Sequence, residues 1–370
     1  MKYYLIAGEA SGDLHGSNLM KAIKEKDNNA DFRFFGGNLM QSVGGILVKH
    51  YKELAFMGFA EVILNLRTIL RNITFCKKDV ENYKPDCIIF IDYPGFNLRI
   101  APFAKKMGIK TYYYISPQLW AWKASRVKTI QQFVDKMFVI LPFEKDWYKK
   151  HNVEAEFVGH PLLDAISGFQ KPEKDKFLTE NNLTGKPIIA LLPGSRTQEI
   201  RKKLPVMLQM EKYFPEYQFV VAGAPSKSSK EYEEIVKRKI CLVENQTYNL
   251  LQLADAALVT SGTATLETAL FGVPQVVCYK SSFISYEIGK RLVKHIKYIS
   301  LVNLIRDKEV VKELIQNELT EENLKIELQK ILQLENQKTI KEEYQKLELQ
   351  LGGKGASERT ANYIVADLAK

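Results

Sequence analysis

Short runs of consecutive apolar residues alternate with longer amphipathic segments over most of the chain. The runs are KYYLIAG, DFRFFGG, DCIIFID, KTYYYIS and KMFVILP in the first half, and PIIALLPGS, YQFVVAG, AALVTSG and PQVVCYK in the second. Runs that do not alternate with polar residues predict strands buried on both faces. Because helix-length segments separate the runs, we expect parallel sheets with right-handed crossovers. The pattern predicts an α/β protein in which one plan occurs twice.

Two breaks in the pattern predict the domain boundaries. Residues 166–186 lose the apolar runs and gather charge, Pro and Gly, which indicates a linker with a short helix. Roughly the last 65 residues have a charged, helical pattern without a strand, and Gly352 and Gly353 precede a final helix. We therefore expect Rossmann-like domains at 1–165 and 166–345. A C-terminal helix at 346–370 would return to an N-terminal domain, either its own or that of a partner.

Composition and charge narrow the function classes. The 370 residues carry a formal net charge of +10, which suits an anionic membrane surface, a phosphorylated substrate or a nucleic acid, although solubility alone is the alternative. The four cysteines form no C-x-x-C pair and the five histidines no H-x-x-x-H pair, so we expect no metal site. The sequence starts directly with a strand pattern, and no apolar run approaches the ~20 residues of a membrane span. We expect a reduced, cytoplasmic protein.

The carboxyl ends of the predicted strands are where ligands bind in open α/β sheets. After the first strand, Glu9, Ser11, Gly12 and Asp13 open a helix, but the glycine spacing fits neither a dinucleotide fingerprint nor a P-loop. An ordinary helix cap is the alternative. After the strand IIFI stands Asp92, which would serve as a general base if it is partly desolvated. A turn-stabilising or capping role is the alternative for Asp92.

Two strand ends in the second half suit an anion. Gly194 and Ser195 present amides, and Arg196 offers a planar guanidinium, with a plain surface arginine as the alternative. The other turn consists of small residues: Ser261, Gly262, Thr263 and Ala264. Small residues leave the helix N-terminus open to a diphosphate, and Glu267 one turn later is placed to accept hydrogen bonds from ribose hydroxyls. A simple capping box would give the same pattern.

Eight motifs then occur in order: GEASGD, IDYPGFN, SPQLWAWKASR, LPFEK, LLPGSR, SGTATLE, KRLVK and YISLVNLI. Together, from residue 4 to about residue 315, they resemble the lipid-A-disaccharide synthases, glycosyltransferases of family 19. The resemblance implies a GT-B fold, with two Rossmann-like domains facing across a cleft. It also implies an inverting transfer, without metal or other cofactor, of 2,3-diacylglucosamine from its UDP derivative to the 6-hydroxyl of 2,3-diacylglucosamine 1-phosphate (lipid X).

The resemblance also implies residue roles. Asp92 would be the base, while Arg196, the 261–267 stretch and Asn303 would hold UDP on the C-terminal domain. The GEASGD loop, Trp120 and Arg126 would lie on the acceptor side, in the N-terminal domain.

Two departures from the family pattern occur. Gly95 stands where some relatives carry a second acidic residue, so any role of that carboxylate is absent, and Val302 stands where proline is common, which makes that turn less rigid. His15 and His160 are alternative bases, for which a structural role is the favoured interpretation.

Lipid substrates require contact with a bilayer. The segment 59–75 places apolar residues on one helical stripe with basic residues beside it. The stripe and its charges are Phe59, Val62, Ile63, Leu66, Arg67, Leu70 and Arg71, continued by Ile73. We expect an interfacial helix that binds the cytoplasmic face of the inner membrane, with a helix packed on the sheet as the alternative. The resemblance further suggests a homodimer that exchanges C-terminal helices.

Rival functions share parts of these patterns. Another UDP-sugar enzyme of the same fold, such as a UDP-N-acetylglucosamine 2-epimerase, would lack the combination of GEASGD and SPQLWAWKASR. A lipid- or nucleotide-binding protein without activity would not need Asp92, Arg196 and Glu267 together. A nucleic-acid binder would need a basic, aromatic surface, and only residues 120–128 (WAWKASRVK) offer one. We therefore expect no nucleic acid partner.

Overall fold

The computed structural model describes residues 1–54, 66–121, 124–225, 227–282, 286–287 and 296–370. The chain forms two compact units, of which unit 1 comprises Met1–Ser167 with Leu351–Lys370 and unit 2 comprises Gly168–Gln350. Each unit is built around one parallel sheet.

Unit 1 contains a seven-stranded sheet in the order β3-β2-β1-β4-β5-β6-β7. Its strands are β1 (Lys2–Ala7), β2 (Asp31–Gly36), β3 (Ile46–His50), β4 (Cys87–Ile91), β5 (Lys110–Tyr114), β6 (Lys136–Val139) and β7 (Ala155–Phe157). Its helices are α1 (Ala10–Lys26), α2 (Asn38–Val43), α3 (Leu66–Tyr83), α4 (Pro94–Lys106), α5 (Val127–Phe133), α6 (Glu144–Lys150), α7 (Leu162–Ser167) and, from the C-terminus, α16 (Ala356–Leu368). All neighbouring strands pair in parallel.

Unit 2 contains a six-stranded parallel sheet in the order β10-β9-β8-β11-β12-β13. Its strands are β8 (Ile188–Leu192), β9 (Gln218–Gly223), β10 (Leu242–Glu244), β11 (Ala254–Thr260), β12 (Gln275–Tyr279) and β13 (Lys312–Ile315). Its helices are α8 (Lys174–Glu180), α9 (Thr197–Leu208), α10 (Ser229–Val236), α11 (Thr247–Leu253), α12 (Thr263–Leu270), α13 (Leu301–Arg306), α14 (Glu321–Ile331) and α15 (Leu334–Gln350).

The predicted pair of parallel, Rossmann-like sheets is confirmed, and all nine apolar runs form strands. The central strands β1, β4 and β8 are buried on both faces, as continuous apolar runs require. The expectation that the C-terminal region contains no strand is wrong, because β13 pairs with β12 at the edge of the second sheet.

The C-terminal segment belongs to unit 1 through a specific set of polar contacts. Asp164 accepts hydrogen bonds from the backbone amides of Gly355 at 2.6 Å and Ser357 at 2.9 Å, at the start of α16. The Arg359 guanidinium donates to the Val158 carbonyl at 2.8 Å and to carbonyls of the turn before α16. A carboxylate at the N-terminus of a helix also interacts favourably with the helix dipole. These bonds hold α16 against α7 and the end of β7 in the same chain.

Candidate active site

Asp92 follows β4 directly and adopts a left-handed backbone conformation, with φ of +44°. Such a conformation is uncommon outside glycine and needs support from its surroundings. The support comes from hydrogen bonds between neighbouring residues and the backbone of Asp92. The Asp92 amide donates to the Tyr114 carbonyl at 3.1 Å, and the Asp92 carbonyl accepts from Tyr113 Oη at 2.6 Å and from Asn97 Nδ2 at 2.7 Å. The backbone is therefore fixed by neighbouring elements, and the carboxylate is held at the carboxyl end of β4.

The environment of Asp92 raises the pKa of its carboxyl group to about 6. Burial is the main cause, because it disfavours the charged form, and the negative charge of Glu9 adds to it. A hydrogen bond from the Tyr93 backbone opposes both. A carboxylate with such a pKa is ionised at neutral pH and accepts a proton more readily than an ordinary aspartate. Asp92 and Glu9 thus form a pair of neighbouring carboxylates at the ends of β4 and β1.

The GEASGD loop uses its glycines for close packing. A Cβ atom on Gly8 would lie 2.4 Å from the Tyr93 ring, and one on Gly16, which follows the motif on α1, would lie 2.7 Å from Met40 Sδ. Only glycine permits these approaches. Ser11 is exposed and Gly12 is buried against Ala7. The loop thereby brings Glu9 close enough for its charge to act on Asp92.

Asp13 has a structural role in this arrangement. Its buried carboxylate accepts three backbone hydrogen bonds at the start of α2, from Gly37 at 2.8 Å, Met40 at 3.0 Å and Leu39 at 3.1 Å. This is a capping interaction supplied by α1 to a neighbouring helix. The carboxylate therefore anchors the start of α2, and the predicted acceptor contact of Asp13 stays a prediction.

A buried carboxylate that the sequence analysis did not select lies at the ends of β5 and β6. Glu144 accepts hydrogen bonds from Ser116 Oγ at 2.5 Å, Trp120 Nε1 at 3.2 Å and the amides of Leu141 and Ile140 at 2.9 and 3.2 Å. Burial raises the pKa of Glu144 to about 7, and these hydrogen bonds partly oppose the shift. Glu144 ties the loop after β5, which carries the predicted acceptor residue Trp120, to the end of β6.

Arg126, His15 and His160 are the remaining predicted polar residues of unit 1. Arg126 is half-buried, and its charge acts on the Tyr113 hydroxyl that supports Asp92. His15 and His160 are neighbours, and burial lowers their pKa values to about 4 and about 3. Both imidazoles are neutral at physiological pH and are weak bases, which favours the structural interpretation for them.

In unit 2, the turn after β8 brings a small charged cluster together. Gly194 has φ of +107°, and Arg196 is the N-cap residue of α9 with a side chain that is 67% exposed. Arg196 Nη1 lies 3.7 Å from Glu199 Oε1. The Glu199 carboxylate packs against Gly194, where a Cβ atom would lie only 2.4 Å from Glu199 Oε2. Arg196 is thus free of close contacts over most of its surface and available to an anion.

The turn after β11 exposes the start of α12. Gly262 is the N-cap residue, with φ of +134° and open space where a Cβ atom would stand. Thr263 is exposed and Ala264 is half-buried, so the first amides of the helix lie at the surface. Ser261 is engaged elsewhere, because its hydroxyl donates to the Ile299 carbonyl at 2.8 Å. A helix start without a side-chain cap is a favourable site for a phosphate group.

Glu267 lies beside this turn with an aromatic neighbour. Its carboxylate accepts a hydrogen bond from Tyr248 Oη at 2.8 Å, and burial raises its pKa. The Tyr248 ring contacts Phe169 edge-on, with centroids 5.3 Å apart. Tyr248 was not selected from the sequence, because no local motif marks it. The second oxygen of Glu267 remains the candidate acceptor for a ribose hydroxyl.

Asn303 is fully engaged by the protein. Its Nδ2 donates to the Val311 carbonyl at 2.8 Å and to Glu313 Oε1 at 2.9 Å, while its Oδ1 accepts from the amides of Val310 and Val311 at 2.8 and 3.0 Å. An amide side chain offers two donor hydrogens and two principal acceptor positions. The side chain therefore anchors the segment between α13 and β13, and the predicted nucleotide contact of Asn303 stays a prediction.

The predicted membrane stripe is only partly described. Phe59, Val62 and Ile63, the side chain of Leu66 and the KRLVK motif lie outside the described residues. On α3, Ile73 packs into the core, whereas Leu70 and Phe75 are 50% and 45% exposed. Arg67 and Arg71 are exposed next to Leu70. Among the helices in the described ranges, none has the length and apolar character needed to cross a bilayer.

Comparison with known proteins identifies close similarity along the whole chain. Residues 3–367 match the model of the lipid-A-disaccharide synthetase family. The lipid-A-disaccharide synthase of Syntrophus aciditrophicus is 41% identical, over 96% of this chain and 95% of that protein. The enzyme of the same name from Geobacter metallireducens is 37% identical, over 99% of this chain and 97% of that protein.

Solved structures show the same fold at low sequence identity. A UDP-GlcNAc 2-epimerase from Neisseria meningitidis bound to UDP-GlcNAc aligns with a TM-score of 0.69 and 14% identity, over 99% of this chain and 100% of that chain. The UDP co-structure of MnaA from S. aureus aligns with a TM-score of 0.71 and 12% identity, over 100% of this chain and 97% of that chain. At such identities the likeness concerns the fold alone.

Proposed function

This chain belongs to the lipid-A-disaccharide synthase family, and from that membership we propose how its residues divide the reaction. The protein is a GT-B glycosyltransferase of lipid A biosynthesis. It transfers 2,3-diacylglucosamine from UDP-2,3-diacylglucosamine to the 6-hydroxyl of 2,3-diacylglucosamine 1-phosphate, giving the β-1,6-linked disaccharide 1-phosphate and UDP. Unit 1 handles the acceptor and unit 2 holds the nucleotide. The observation that carries this division is the partly buried Asp92 at the end of β4.

The epimerase alternative is weaker than this assignment. The UDP-GlcNAc 2-epimerase from Neisseria meningitidis shares the fold at 14% identity, whereas the synthases match nearly the full chain at 37–41%. A protein without activity would not need a carboxylate held at a strand end with a raised pKa.

In unit 1, Asp92 acts as the general base. It removes the proton from the acceptor 6-hydroxyl while the oxygen attacks the anomeric carbon from the face opposite UDP. A single displacement inverts the configuration, by the same geometric logic that applies to inverting glycosidases. Burial, together with the negative charge of Glu9, raises the pKa of Asp92, which makes the carboxylate a stronger base.

In unit 2, the amides at the start of α12 and the Arg196 guanidinium bind the diphosphate. These groups stabilise the negative charge that develops on UDP as the glycosidic bond breaks. Glu267 accepts a hydrogen bond from the ribose, with Tyr248 fixing the carboxylate.

The pH dependence of the reaction follows from the raised pKa of Asp92. A base must be deprotonated to act, and Asp92 has a pKa of about 6, so kcat/KM is expected to fall tenfold per pH unit below about pH 6. Glu9→Gln removes the neighbouring negative charge, lowers the pKa of Asp92 and moves this acidic limb to lower pH. Initial rates measured between pH 4.5 and 8.5 check both statements.

The matched control for the pH profile is Glu144→Gln. Glu144 also titrates near neutrality, but it does not face Asp92 through any hydrogen bond among the described residues. The acidic limb should stay in place in this variant. If the acidic limb moves with Glu144→Gln and not with Glu9→Gln, the limb reports the titration of Glu144 and not that of Asp92.

We further propose that unit 1 binds the cytoplasmic face of the membrane through the exposed α3 face, defined as Arg67, Leu70, Arg71, Phe75 and Lys78. These residues recur at helical spacing and are all exposed, while the opposite side of α3 packs on the sheet. Basic and apolar side chains on one helical face suit a surface of anionic lipid. Exchange of C-terminal helices in a homodimer stays a prediction.

The double variant Leu70→Ser with Phe75→Ser should bind vesicles of phosphatidylethanolamine and phosphatidylglycerol about tenfold more weakly or worse. The reason is that two exposed apolar side chains can no longer be buried in the bilayer. Vesicle flotation measures the bound fraction. The control is Leu334→Ser with Leu349→Ser, which removes two leucines that are 84% and 80% exposed on α15. Equal loss of binding in both double variants would mean that the α3 face has no special part.

A further inference from the structure

Lys203 is a buried cation with few partners. It lies on α9, its side chain is 2% exposed, and its ammonium group donates a hydrogen bond to Thr260 Oγ1. In the described part of the chain, one carboxylate oxygen lies near the ammonium group, Glu199 Oε2 at 3.8 Å. Lysine is almost never fully buried unless it is closely paired. A single hydroxyl and a carboxylate at this distance leave the positive charge poorly compensated.

Lys203 lies next to residues of both turns at the carboxyl edge of the second sheet. Thr260 is the last residue of β11 and is followed directly by the turn at 261–264. Glu199, on the other side, packs against Gly194 in the turn after β8. The ammonium group therefore lies beneath the two turns that carry the exposed amides of α12 and the Arg196 guanidinium.

The charges in this cluster do not cancel. Arg196 and Lys203 each carry one positive charge and Glu199 one negative charge, so the three side chains have a net charge of +1. An anion bound at the two turns would supply the missing negative charge. Because the cation is fixed and shielded from water, its field acts at low effective dielectric and needs little reorganisation when a ligand arrives.

We propose that Lys203 is a positioning residue that supplies a buried positive charge for the diphosphate of the UDP-sugar. The inference rests on the proposed placement of the nucleotide on unit 2 and deepens it. Arg196, being exposed, contacts the diphosphate directly, whereas Lys203 acts from beneath through Thr260 and through its field. The same charge stabilises UDP as it leaves.

The titration of Lys203 offers a readout that a purely structural lysine would not show. Burial lowers the pKa of Lys203, Glu199 and Cys278 raise it, and Arg196 lowers it further. A bound diphosphate adds negative charge nearby, which favours the protonated form. The pKa of Lys203 should therefore rise when UDP binds.

The test compares Lys203→Met with Arg201→Met, which removes an equal charge from an exposed position on the same helix. Calorimetric titration at pH 8 should show UDP binding weakened about tenfold or more in Lys203→Met and within twofold of wild type in Arg201→Met. Uridine, which has no phosphate, should bind both variants like wild type. In lysine-labelled wild-type protein, the carbon-13 Cε resonance of Lys203 should give a higher pKa with UDP than without it.

The outcomes separate the two proposals. If wild-type protein binds no UDP, the nucleotide site itself is misplaced. If wild type binds UDP but Lys203→Met binds it equally well, or loses uridine and UDP to the same extent, the role of Lys203 is refuted while the nucleotide site stands. If Lys203→Met does not fold, the wild-type titration decides, and a pKa of Lys203 that is unchanged by UDP overturns the proposal.

Discussion

Asp92→Asn is expected to lower kcat by about 10²- to 10⁴-fold, the range that a positioned general base contributes. Asparagine keeps the size and shape of the side chain but accepts no proton. The left-handed backbone at this position tolerates asparagine well, and its support from Tyr113, Tyr114 and Asn97 involves only backbone atoms of Asp92. The fold should therefore survive, and the loss should fall on the chemical step. Single-turnover rates with both substrates in mixed micelles measure it.

UDP binding provides the internal control for this variant. The groups proposed for UDP lie in unit 2, so the affinity of Asp92→Asn for UDP should match wild type. Asp146→Asn removes an exposed carboxylate of unit 1 and should leave kcat unchanged. Near-normal turnover by Asp92→Asn would show that this carboxylate is not the base.

Asp13→Ala should lower the free energy of unfolding by about 3 kcal/mol. The carboxylate accepts three backbone hydrogen bonds at the start of α2, of which those from Gly37 and Met40 are fully buried. At about 1.5 kcal/mol each, the lower end of the range for hydrogen bonds to charged groups, the two buried bonds account for this loss. For a unit of this size the loss corresponds to a fall in Tm of roughly 6–12 °C. Differential scanning calorimetry checks the value.

Glu25→Ala is the matched control, because it removes an exposed carboxylate from the same helix. Its Tm should stay within about 1–2 °C of wild type, since surface substitutions usually change stability by less than 0.5 kcal/mol. An Asp13→Ala protein with unchanged Tm and weakened acceptor binding would restore the ligand-binding role that the sequence motif suggested.

The strands that could be predicted are those that lie inside the sheets and are mostly buried. A strand covered on both faces must be apolar throughout, and this pattern is visible without any knowledge of its neighbours. The four strands that were missed, β3, β7, β10 and β13, all lie at the edges of the sheets. They are short and contain charged or polar residues such as Lys49, Glu156 and Glu313, which is common in edge strands.

The site shows a similar limit. Asp92 could be selected because a strand end fixes where its carboxylate lies. Asp13 and Asn303 stand in equally marked motifs, yet both anchor backbone amides. The amides that Asp13 binds lie 24 or more residues along the chain, and those that Asn303 binds lie 7 or more residues along it. Glu144 was missed for the converse reason. Its partners Ser116 and Trp120 come together with it only when β5 and β6 pair.

Product analysis of the wild-type reaction tests the account most directly. Wild-type protein is incubated with UDP-2,3-diacylglucosamine and 2,3-diacylglucosamine 1-phosphate in mixed micelles, and the lipid products are examined by mass spectrometry and NMR. We expect a β-1,6-linked disaccharide 1-phosphate formed in equal amount to UDP. The β linkage would indicate one inverting displacement, in which the acceptor 6-hydroxyl attacks the anomeric carbon of the donor and UDP leaves. Release of UDP with free diacylglucosamine and no disaccharide, or a disaccharide with α configuration, would contradict the account.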